Sequence, residues 1–265
     1  MKRRKHYDVA CVDVFSGLAF VWAEAACCLL RAMRKPIVMT LHGGNLPEFG
    51  RKNPTRVKRL LNWGAAVTCP SHYLCKEMQK FRDDLRLLPN GIDLAAYKFR
   101  FPQSRLCRLV WLRAFHHIYN PVMAVRVLAG LRNQGMDVRL TMIGPDKEDG
   151  SLNQTQAAAQ ELGLLQHITF RGAVAKDAVP NELSCGDVFL NTTNFDNTPV
   201  SVIEAMACGL PVVSTNVGGI PYLLKHEETA VLVPPDDANA MTQACVRLMQ
   251  EPDLAARIVN KGREL

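Results

Sequence analysis

The stretch "NFDNTPVSVIEAMACGLPVVSTNVGG" (residues 194–219) decides the fold. Thr198 is a residue type that caps helix N-termini, and Pro199 suits a first helical position because its missing N–H costs nothing there. Gly209 suits the position just after a last helical turn. We therefore predict a helix from Pro199 to Cys208, followed by the apolar strand "LPVVST" and a glycine turn. This loop–helix–strand unit is typical of a parallel α/β sheet.

Two carboxylates, Asp196 and Glu204, stand eight positions apart in this stretch. The free N–H groups and the positive dipole of the helix N-terminus suit a phosphate, and carboxylates accept hydrogen bonds from vicinal hydroxyls. One segment thus offers recognition of both a diphosphate and a sugar or ribose. The alternatives are an ordinary Asx-turn at Asp196, a solvated helix residue at Glu204 and a plain turn at Gly218-Gly219.

Strand and helix signals alternate along the whole chain, which predicts two doubly wound parallel-sheet domains. A composition break near Phe99–Arg105 places the boundary, giving domains 1–100 and 101–265. In the first domain we predict strands at 7–15, 36–41, 65–70 and 85–93 and helices at 17–33, 55–62 and 71–80, with Ser71 as N-cap and Gly91 available for positive φ. In the second we predict strands at 107–112, 137–144, 167–172, 187–193, 210–215 and 230–233 and helices at 121–134, 152–163, 176–184, 199–208 and 236–250. Ligands of such sheets bind outside the carboxyl ends of the strands.

The formal net charge of +7 is unevenly distributed over the 265 residues. Residues 1–100 contain 18 Lys and Arg against 8 Asp and Glu, whereas residues 101–265 contain 14 against 17. The basic half is either a solvated face or a surface attracted to an anionic membrane or acceptor. The sequence has no basic motif interleaved with aromatics and no recognition-helix pattern, so we do not expect a nucleic-acid partner.

Nine cysteines, an odd number with no C-x-x-C pair, mostly occupy apolar runs. Cysteines of this kind act as small buried hydrophobes in a reducing compartment, which indicates a cytoplasmic protein. The basic start "MKRRK" and the apolar run "GLAFVWAEAACCLL" do not form a signal peptide or membrane span, because Asp8, Asp13 and Glu24 interrupt them. We predict an amphipathic helix here and peripheral contact with the inner face of the membrane.

The sequence resembles the retaining glycosyltransferases of family 4, which have the GT-B fold of two Rossmann-like domains facing a cleft. Their Glu-x7-Glu motif, Ala-Met-Ala, Gly, Pro-Val-Val and Gly-Gly are matched by Asp196, Glu204 and "AMACGLPVVSTNVGG". "LPNGID" (88–93) is similar to the signature at the end of the family's first domain, and "TLHGG" (40–44) to its histidine loop. Arg113 falls where the family has a phosphate-binding arginine.

The resemblance implies transfer of a sugar from a UDP- or GDP-sugar to a glycan or lipid-linked acceptor, with retention of configuration. By this resemblance Glu204 binds the nucleotide ribose, Asp196 the transferred sugar, and Arg113 the diphosphate, while His42 lies near the reacting sugar. The remaining residues that it assigns are Asn197, Thr198, Pro199, Val200, Gly218, Gly219, Phe170, Arg171 and Gly172 for the donor, Gly43, Gly44 and Asn45 for the acceptor side, and Asn90 and Gly91 for the interdomain turn.

The chain departs from the family pattern at three places. Asp196 replaces the first Glu, Ile118 and Tyr119 stand near the position of a family lysine, and no strand with a glycine-rich turn precedes Tyr7. We therefore expect a first domain shortened at its N-terminus. Family members usually need no metal, so we expect no cofactor and interpret His116-His117 as a loop pair. Two alternatives stay open: a non-catalytic module that binds a nucleotide-sugar, and a nucleotide-sugar epimerase.

Overall fold

The computed structural model describes residues 7–101 and 107–265, and their contacts divide the chain into two compact units. The first unit contains residues up to Asn90 together with Asp196–Thr198, and the second contains Gly91–Phe195 and Pro199–Leu265. The division thus follows Asn90, ten residues before the predicted boundary. The segment after Asn90 groups with the second unit because it is fastened there: the Arg100 N–H donates to the Cys208 carbonyl at 3.1 Å. Part of the predicted composition break, residues 102–106, lies outside the described residues.

The first unit has a parallel sheet of four strands in the order β1-β2-β3-β4. The strands are β1 (Ala10–Val14), β2 (Ile37–Leu41), β3 (Ala66–Cys69) and β4 (Arg86–Leu87), and the helices are α1 (Leu18–Ala32), α2 (Leu46–Lys52), α3 (Pro54–Leu61) and α4 (His72–Met78). Its apolar core includes Phe20, Met39, Leu60 and Leu74, all fully buried. Each strand but the last is followed by helix before the next strand, as predicted.

Local features of residues 46–91 test the sequence predictions. Ser71 caps α4 as expected, since its Oγ accepts the Leu74 N–H at 3.0 Å. The stretch "HGGNLPEF" (42–49) is predicted to be a loop, but its second half belongs to helix α2 (Leu46–Lys52). The prediction for Gly91 was wrong: it is not among the residues with positive φ. The strand before it is also short, because β4 pairs with β3 through only Arg86 and Leu87.

The second unit has a six-stranded parallel sheet in the order β10-β9-β8-β5-β6-β7. The strands are β5 (Arg108–Leu112), β6 (Arg139–Ile143), β7 (Ile168–Gly172), β8 (Val188–Asn191), β9 (Val212–Thr215) and β10 (Val231–Val233), and the helices are α5 (Pro121–Asn133), α6 (Ser151–Glu161), α7 (Val179–Ser184), α8 (Val200–Ala207), α9 (Ile220–Leu223), α10 (Ala238–Gln250) and α11 (Pro252–Arg263). Helices α9 and α11 were not predicted.

Successive residues of the central strands point to opposite faces of this sheet and enter two different apolar clusters. Leu109 and Trp111 of β5 belong to one cluster, whereas Val110 between them belongs to the other. Phe189 of β8 likewise packs on the opposite face from Leu190. Helices cover both faces of the sheet, so its strands can be apolar throughout.

Side chains fasten β5 and β8 to each other at both ends. At the amino ends, the buried Asp187 carboxylate accepts hydrogen bonds from the Arg108 guanidinium (Nη2 2.6 Å, Nε 3.0 Å) and from the backbone N–H groups of Cys107 and Arg108. Burial acts to raise the pKa of Asp187, but these donors outweigh it and hold the pKa below its ordinary value. At the carboxyl ends, the buried Trp111 indole N–H donates to Thr192 Oγ1 at 2.9 Å.

The α8 helix begins one residue later than predicted. Pro199, not Thr198, is its N-cap, because the Pro199 carbonyl accepts the Val202 N–H at 3.1 Å. Thr198 therefore does not cap the helix. The C-terminal prediction is confirmed: Gly209 follows the C-cap Cys208 with φ +80°, a conformation that favours glycine.

All nine cysteines lie in the described residues and are free thiols, of which Cys27, Cys69, Cys75, Cys208 and Cys245 are buried. They follow the predicted pattern of small core residues in part, because Cys11, Cys28 and Cys185 are exposed. None of the helices in the described ranges combines the length and apolar character needed to cross a bilayer.

Candidate functional site

The strand order of the second unit reverses between β5 and β8. The chain runs outward from β5 to β6 and β7 on one side, and from β8 to β9 and β10 on the other. A crevice forms at such a switch point, outside the carboxyl ends of the strands. A cavity of about 230 Å³ lies there, lined by Leu112, Arg113, Ala114, Tyr119, Ile143, Gly144, Pro145, Val174, Val179 and Ser201.

Arg113 is the charged residue of this cavity. It directly follows β5, and its N–H donates to the Ile143 carbonyl at 3.0 Å. Its guanidinium carbon lies 4.3 Å from the ring centroid of Tyr119, and its Nε and Nη2 atoms are buried. Burial lowers the pKa of Arg113, while Tyr119 and Glu204 act to raise it. The group stays cationic because arginine is not deprotonated in proteins.

Tyr119 is itself held by the carboxyl end of β8. The Thr192 hydroxyl donates to the Tyr119 carbonyl at 2.7 Å and accepts the indole N–H of Trp111. Hydrogen bonds thus connect the fully buried Trp111 and Thr192 to the backbone of Tyr119. The ring of Tyr119 in turn packs against the Arg113 guanidinium. These contacts fix the position of the cation.

Gly144 forms the wall of the cavity opposite Tyr119. Its φ is +145°, and a Cβ at this position would lie 1.8 Å from the Arg113 carbonyl oxygen. Only glycine allows the two backbones to approach this closely. Residue 144 therefore positions the backbone of the arginine as well as the rim of the cavity.

The N-terminus of α8 provides the third wall. The N–H groups of Val200 and Ser201 precede the first intrahelical hydrogen bond, which is donated by Val202. Ser201 is 6% exposed, lines the cavity, and its Oγ has no hydrogen-bond partner among the residues that the structure describes. A buried hydroxyl of this kind needs an acceptor or donor from elsewhere. Together with Arg113, this end of the helix is suited to an anion.

Glu204 lies one turn further along α8 and is 7% exposed. The alternative of a solvated helix residue is therefore wrong. Its Oε1 accepts a hydrogen bond from the Tyr97 hydroxyl at 2.8 Å. A buried carboxylate next to an anion site is suited to hydroxyl groups, because an ionised carboxylate only accepts hydrogen bonds.

In the first unit, His42 directly follows β2 and faces the end of β1. Its Nε2 lies 3.1 Å from Asp13 Oδ1, and its ring stacks on Phe15 with centroids 5.0 Å apart. Asp13 therefore orients the imidazole, and the exposed Phe15 covers one side of it. The glycine loop follows at once: Gly43 has φ +84°, and Asn45 is the N-cap of α2 without using its side chain.

Residues Asp196–Thr198 group with the first unit. The Asp196 carboxylate accepts the N–H of Asn197 at 2.9 Å, and Asn197 Oδ1 contacts Ser71 Oγ. The Asn90 amide donates to the Thr198 carbonyl at 3.2 Å. Since Asp196 and Glu204 belong to different units, their joint action on one ligand stays a prediction.

The remaining predicted donor residues lie in the second unit. Phe170 packs against Phe115 in the core, Arg171 forms an ion pair with Glu182 at 3.1 Å, and the Gly172 carbonyl accepts the Gly144 N–H at 2.9 Å. Gly172 thus contacts a residue that lines the cavity. Gly218 and Gly219 form the turn before α9, where Gly218 has φ +52°.

His116, His117 and Asp149 form a loop cluster whose ligand atoms lie within 4.8 Å of one another. The His116 Nδ1 accepts the Ile118 N–H at 3.3 Å, and Asp149 accepts both the N–H of His117 at 2.8 Å and that of Ser151 at 3.0 Å. These bonds join the loop after β5 to the start of α6. They favour the loop interpretation of the histidine pair.

Four residues around these sites were not singled out from the sequence: Asp13, Tyr97, Tyr119 and Ser201. Of the four, only Ser201 could have been predicted from the sequence, since it is a polar residue in the first turn of a helix whose N-terminus is predicted to bind phosphate. The other three act through contacts that are remote in sequence or that depend on a loop conformation.

Two models of known protein families match this chain. The model for glycosyl transferases group 1 matches residues 107–251, more than half of the chain, and that for glycosyltransferase family 4 matches residues 1–96. The chain therefore belongs to glycosyltransferase family 4, which confirms the resemblance seen in the sequence.

Curated relatives are longer than this chain. It is 25% identical over 248 residues to the N-acetyl-alpha-D-glucosaminyl L-malate synthase of Bacillus anthracis, covering 87% of this chain and 63% of that protein. It is 29% identical over 148 residues to a GDP-mannose-dependent alpha-(1-6)-phosphatidylinositol monomannoside mannosyltransferase of Mycolicibacterium smegmatis, covering 53% of this chain and 38% of that one.

Solved structures share the fold. The sucrose-phosphate synthase of Thermosynechococcus elongatus superposes with a TM-score of 0.81 at 21% identity, covering 98% of this chain and 68% of that one. HepE of Anabaena, in complex with UDP and glucose, gives 0.82 at 19% identity, with 99% and 75% covered. The predicted α/β fold of the GT-B type is thereby confirmed.

Proposed function

We propose that the protein transfers a sugar from a UDP- or GDP-sugar to a glycan or lipid-linked acceptor, with retention of configuration. The cavity at the β5–β8 switch point carries this proposal, because Arg113 and the N-terminus of α8 line it, and the buried Glu204 lies one turn further along this helix in the same unit. These are the groups that a diphosphate and a ribose require. Solved structures of HepE contain UDP or UDP-glucose, and the mycobacterial relative is named as GDP-mannose-dependent, which supports a nucleotide-sugar donor.

In the proposed reaction, the bond from the anomeric carbon to the diphosphate oxygen breaks and a bond to an acceptor hydroxyl forms on the same face of the sugar. The acceptor proton passes to the departing diphosphate. Arg113 and the first N–H groups of α8 stabilise the negative charge that grows on this leaving group. We assign Glu204 to the ribose hydroxyls, with no metal required for either contact.

We assign the other predicted residues by the chemistry they offer. Asp196 accepts hydrogen bonds from hydroxyls of the transferred sugar. His42, oriented by Asp13, serves the reacting sugar, and the glycine loop after it, Gly43 and Gly44, serves the acceptor side. The role of His42 needs an imidazole that keeps a fixed direction, which the Asp13 contact provides.

The assignment of Glu204 predicts that Glu204→Ala lowers release of nucleoside diphosphate from the preferred UDP- or GDP-sugar about 10- to 100-fold. Each hydrogen bond to a charged group contributes roughly 1.5–3 kcal/mol, and the buried site offers no water substitute of equal strength. Glu161→Ala, an exposed glutamate at the end of α6, is the matched control and should turn over like the wild type.

Equal turnover by wild type and Glu204→Ala would reject the assigned site. Calorimetry that shows tight binding of the nucleotide-sugar, without hydrolysis or transfer, would instead favour a non-catalytic binding module. Conversion of the donor sugar without any acceptor, followed by NMR, would favour an epimerase.

We further propose that α1 brings the cytoplasmic protein to an anionic membrane surface. Phe20, Ala23 and Cys27 form its buried face, whereas its outer face exposes a stripe of apolar residues at helical spacing: Leu18, Val21, Trp22, Ala25 and Leu29. Trp22 is 76% exposed, and the last turn carries Arg31. An apolar stripe bordered by basic residues is suited to the interface of an anionic bilayer.

This surface predicts that the protein co-sediments with vesicles containing phosphatidylglycerol, and that Trp22→Ala lowers the partition coefficient about tenfold because Trp22 is the largest side chain of the apolar stripe. Phe101→Ala, an exposed aromatic of the second unit, should bind like the wild type. The bound fraction should fall as salt rises. Equal binding to pure phosphatidylcholine vesicles would contradict the proposal.

A further inference from the structure

The Tyr97 hydroxyl donates a hydrogen bond to Glu204, and this contact has no role in the reaction proposed above. The two residues are 107 positions apart in the chain, and the phenol hydroxyl lies 2.8 Å from Glu204 Oε1. Both belong to the second unit, and Tyr97 packs against the apolar cluster that includes Val202 and Met206 of α8. The hydrogen bond between Tyr97 and Glu204 therefore lies against the apolar core of the second unit.

The backbone around Tyr97 is anchored on both sides. Before it, the Asp93 carboxylate caps the turn at Leu94–Ala96 by accepting the Ala95 N–H at 3.1 Å. After it, the Arg100 N–H donates to the Cys208 carbonyl, at the end of the helix that carries Glu204. The phenol thus approaches the carboxylate from a segment fixed to the same helix.

Burial and the hydrogen bond to Glu204 both raise the pKa of Tyr97. The phenol consequently keeps its proton throughout the physiological range and acts as a donor to Oε1. A hydrogen bond to an ionised acceptor is stronger and more directional than one between neutral groups. It limits rotation of the carboxylate about its last side-chain bond.

We infer that Tyr97 is a positioning residue for ribose recognition: it holds Oε1 so that Oε2 of Glu204 is presented to the ribose hydroxyls of the nucleoside diphosphate. This inference rests on the proposed function, in which Glu204 binds the ribose. A carboxylate with one oxygen held enters the complex already oriented, so the ligand does not have to order it. Without the phenol, the carboxylate can turn, and part of the hydrogen-bond energy to the ribose is lost.

The test separates this role from simple packing by measuring discrimination for the ribose hydroxyls. Calorimetry gives the Kd of UDP or GDP, whichever the wild type binds more tightly, and the Kd of its 2′,3′-dideoxy analogue. Tyr97→Phe keeps the ring and removes only the hydroxyl. It should weaken binding of the ribonucleotide about five- to tenfold and leave the dideoxy analogue unchanged, since the analogue makes no bond to Glu204. Tyr7→Phe is the matched control and should leave both Kd values unchanged.

Glu204→Ala tests ribose binding by Glu204 separately from the positioning role of Tyr97. It should abolish the preference for the ribonucleotide. If it does so while Tyr97→Phe retains the full preference, the positioning role is wrong and the proposed site stands. Equal weakening of both ligands in Tyr97→Phe would show a merely structural role and overturn the inference. If Glu204→Ala retains the preference, Glu204 does not bind the ribose, and both assignments fail.

Discussion

Replacing Arg113 with alanine is expected to lower kcat/KM for the nucleotide-sugar by about 10²- to 10³-fold. Arg113 is the cation of the switch-point cavity, with its Nε and Nη2 atoms buried, and in the proposed reaction the negative charge of the leaving diphosphate grows in the transition state. Removing one preorganised donor from such a site costs about 3–4 kcal/mol of transition-state stabilisation. Steady-state kinetics with continuous detection of the released nucleoside diphosphate measures the effect.

Two further variants make this test specific. Arg126→Ala makes the same change at an exposed position on α5 and should leave kcat/KM within about twofold of the wild type. Arg113→Lys should restore little, because lysine cannot reproduce the planar stack on Tyr119 or a bidentate bond to phosphate. Full activity of Arg113→Ala would show that the leaving group lies elsewhere.

Gly144→Ala is expected to destabilise the protein by about 3–5 kcal/mol, the largest effect on folding that we predict for a single methyl group. The added Cβ would lie 1.8 Å from the Arg113 carbonyl oxygen, so the backbone of β5 or β6 has to move. The φ of +145° adds strain of its own. Urea unfolding followed by circular dichroism measures the change in free energy.

Gly163→Ala separates the cost of a positive φ from the cost of a steric clash of the added Cβ. Gly163 has φ +67°, but nothing lies within 4 Å of a Cβ placed there. Alanine at this position should cost only about 1–2 kcal/mol, the ordinary penalty of a left-handed conformation. If both variants lost the same free energy, the close approach of residue 144 to the arginine backbone would not be the cause.

Regular parts of the fold were readable from the sequence because their residues follow one periodicity and have clear boundaries. The predicted strand "CRLVWL" (107–112) became β5, and Ser71 caps α4 as its residue type predicts. Helix α2 was missed because the glycines and the proline of "HGGNLPEF" (42–49) suggest a loop. Pro47 is tolerated because it lies in the first turn of the helix, and a Cβ at Gly50 would lie 2.6 Å from the Phe81 ring.

The candidate site was readable only in part. Arg113 and Glu204 match the residue type and position of the family pattern, so the resemblance to the family indicates them directly. The partners that orient them do not: Tyr97 reaches Glu204 across 107 positions, and Thr192 supports Tyr119 across 73. Such pairings depend on how strands and helices assemble, which local sequence patterns do not encode.

The two-ended fastening of β5 to β8 has a consequence for ligand binding. Asp187 and Arg108 join the strands at one end, and Trp111 and Thr192 at the other, so the floor of the cavity cannot splay without breaking buried hydrogen bonds. For the proposed nucleotide ligand, these walls would already have their final shape. Its binding free energy would then go into contacts with the diphosphate and ribose and not into ordering the sheet, which would leave more of it for stabilising the transition state.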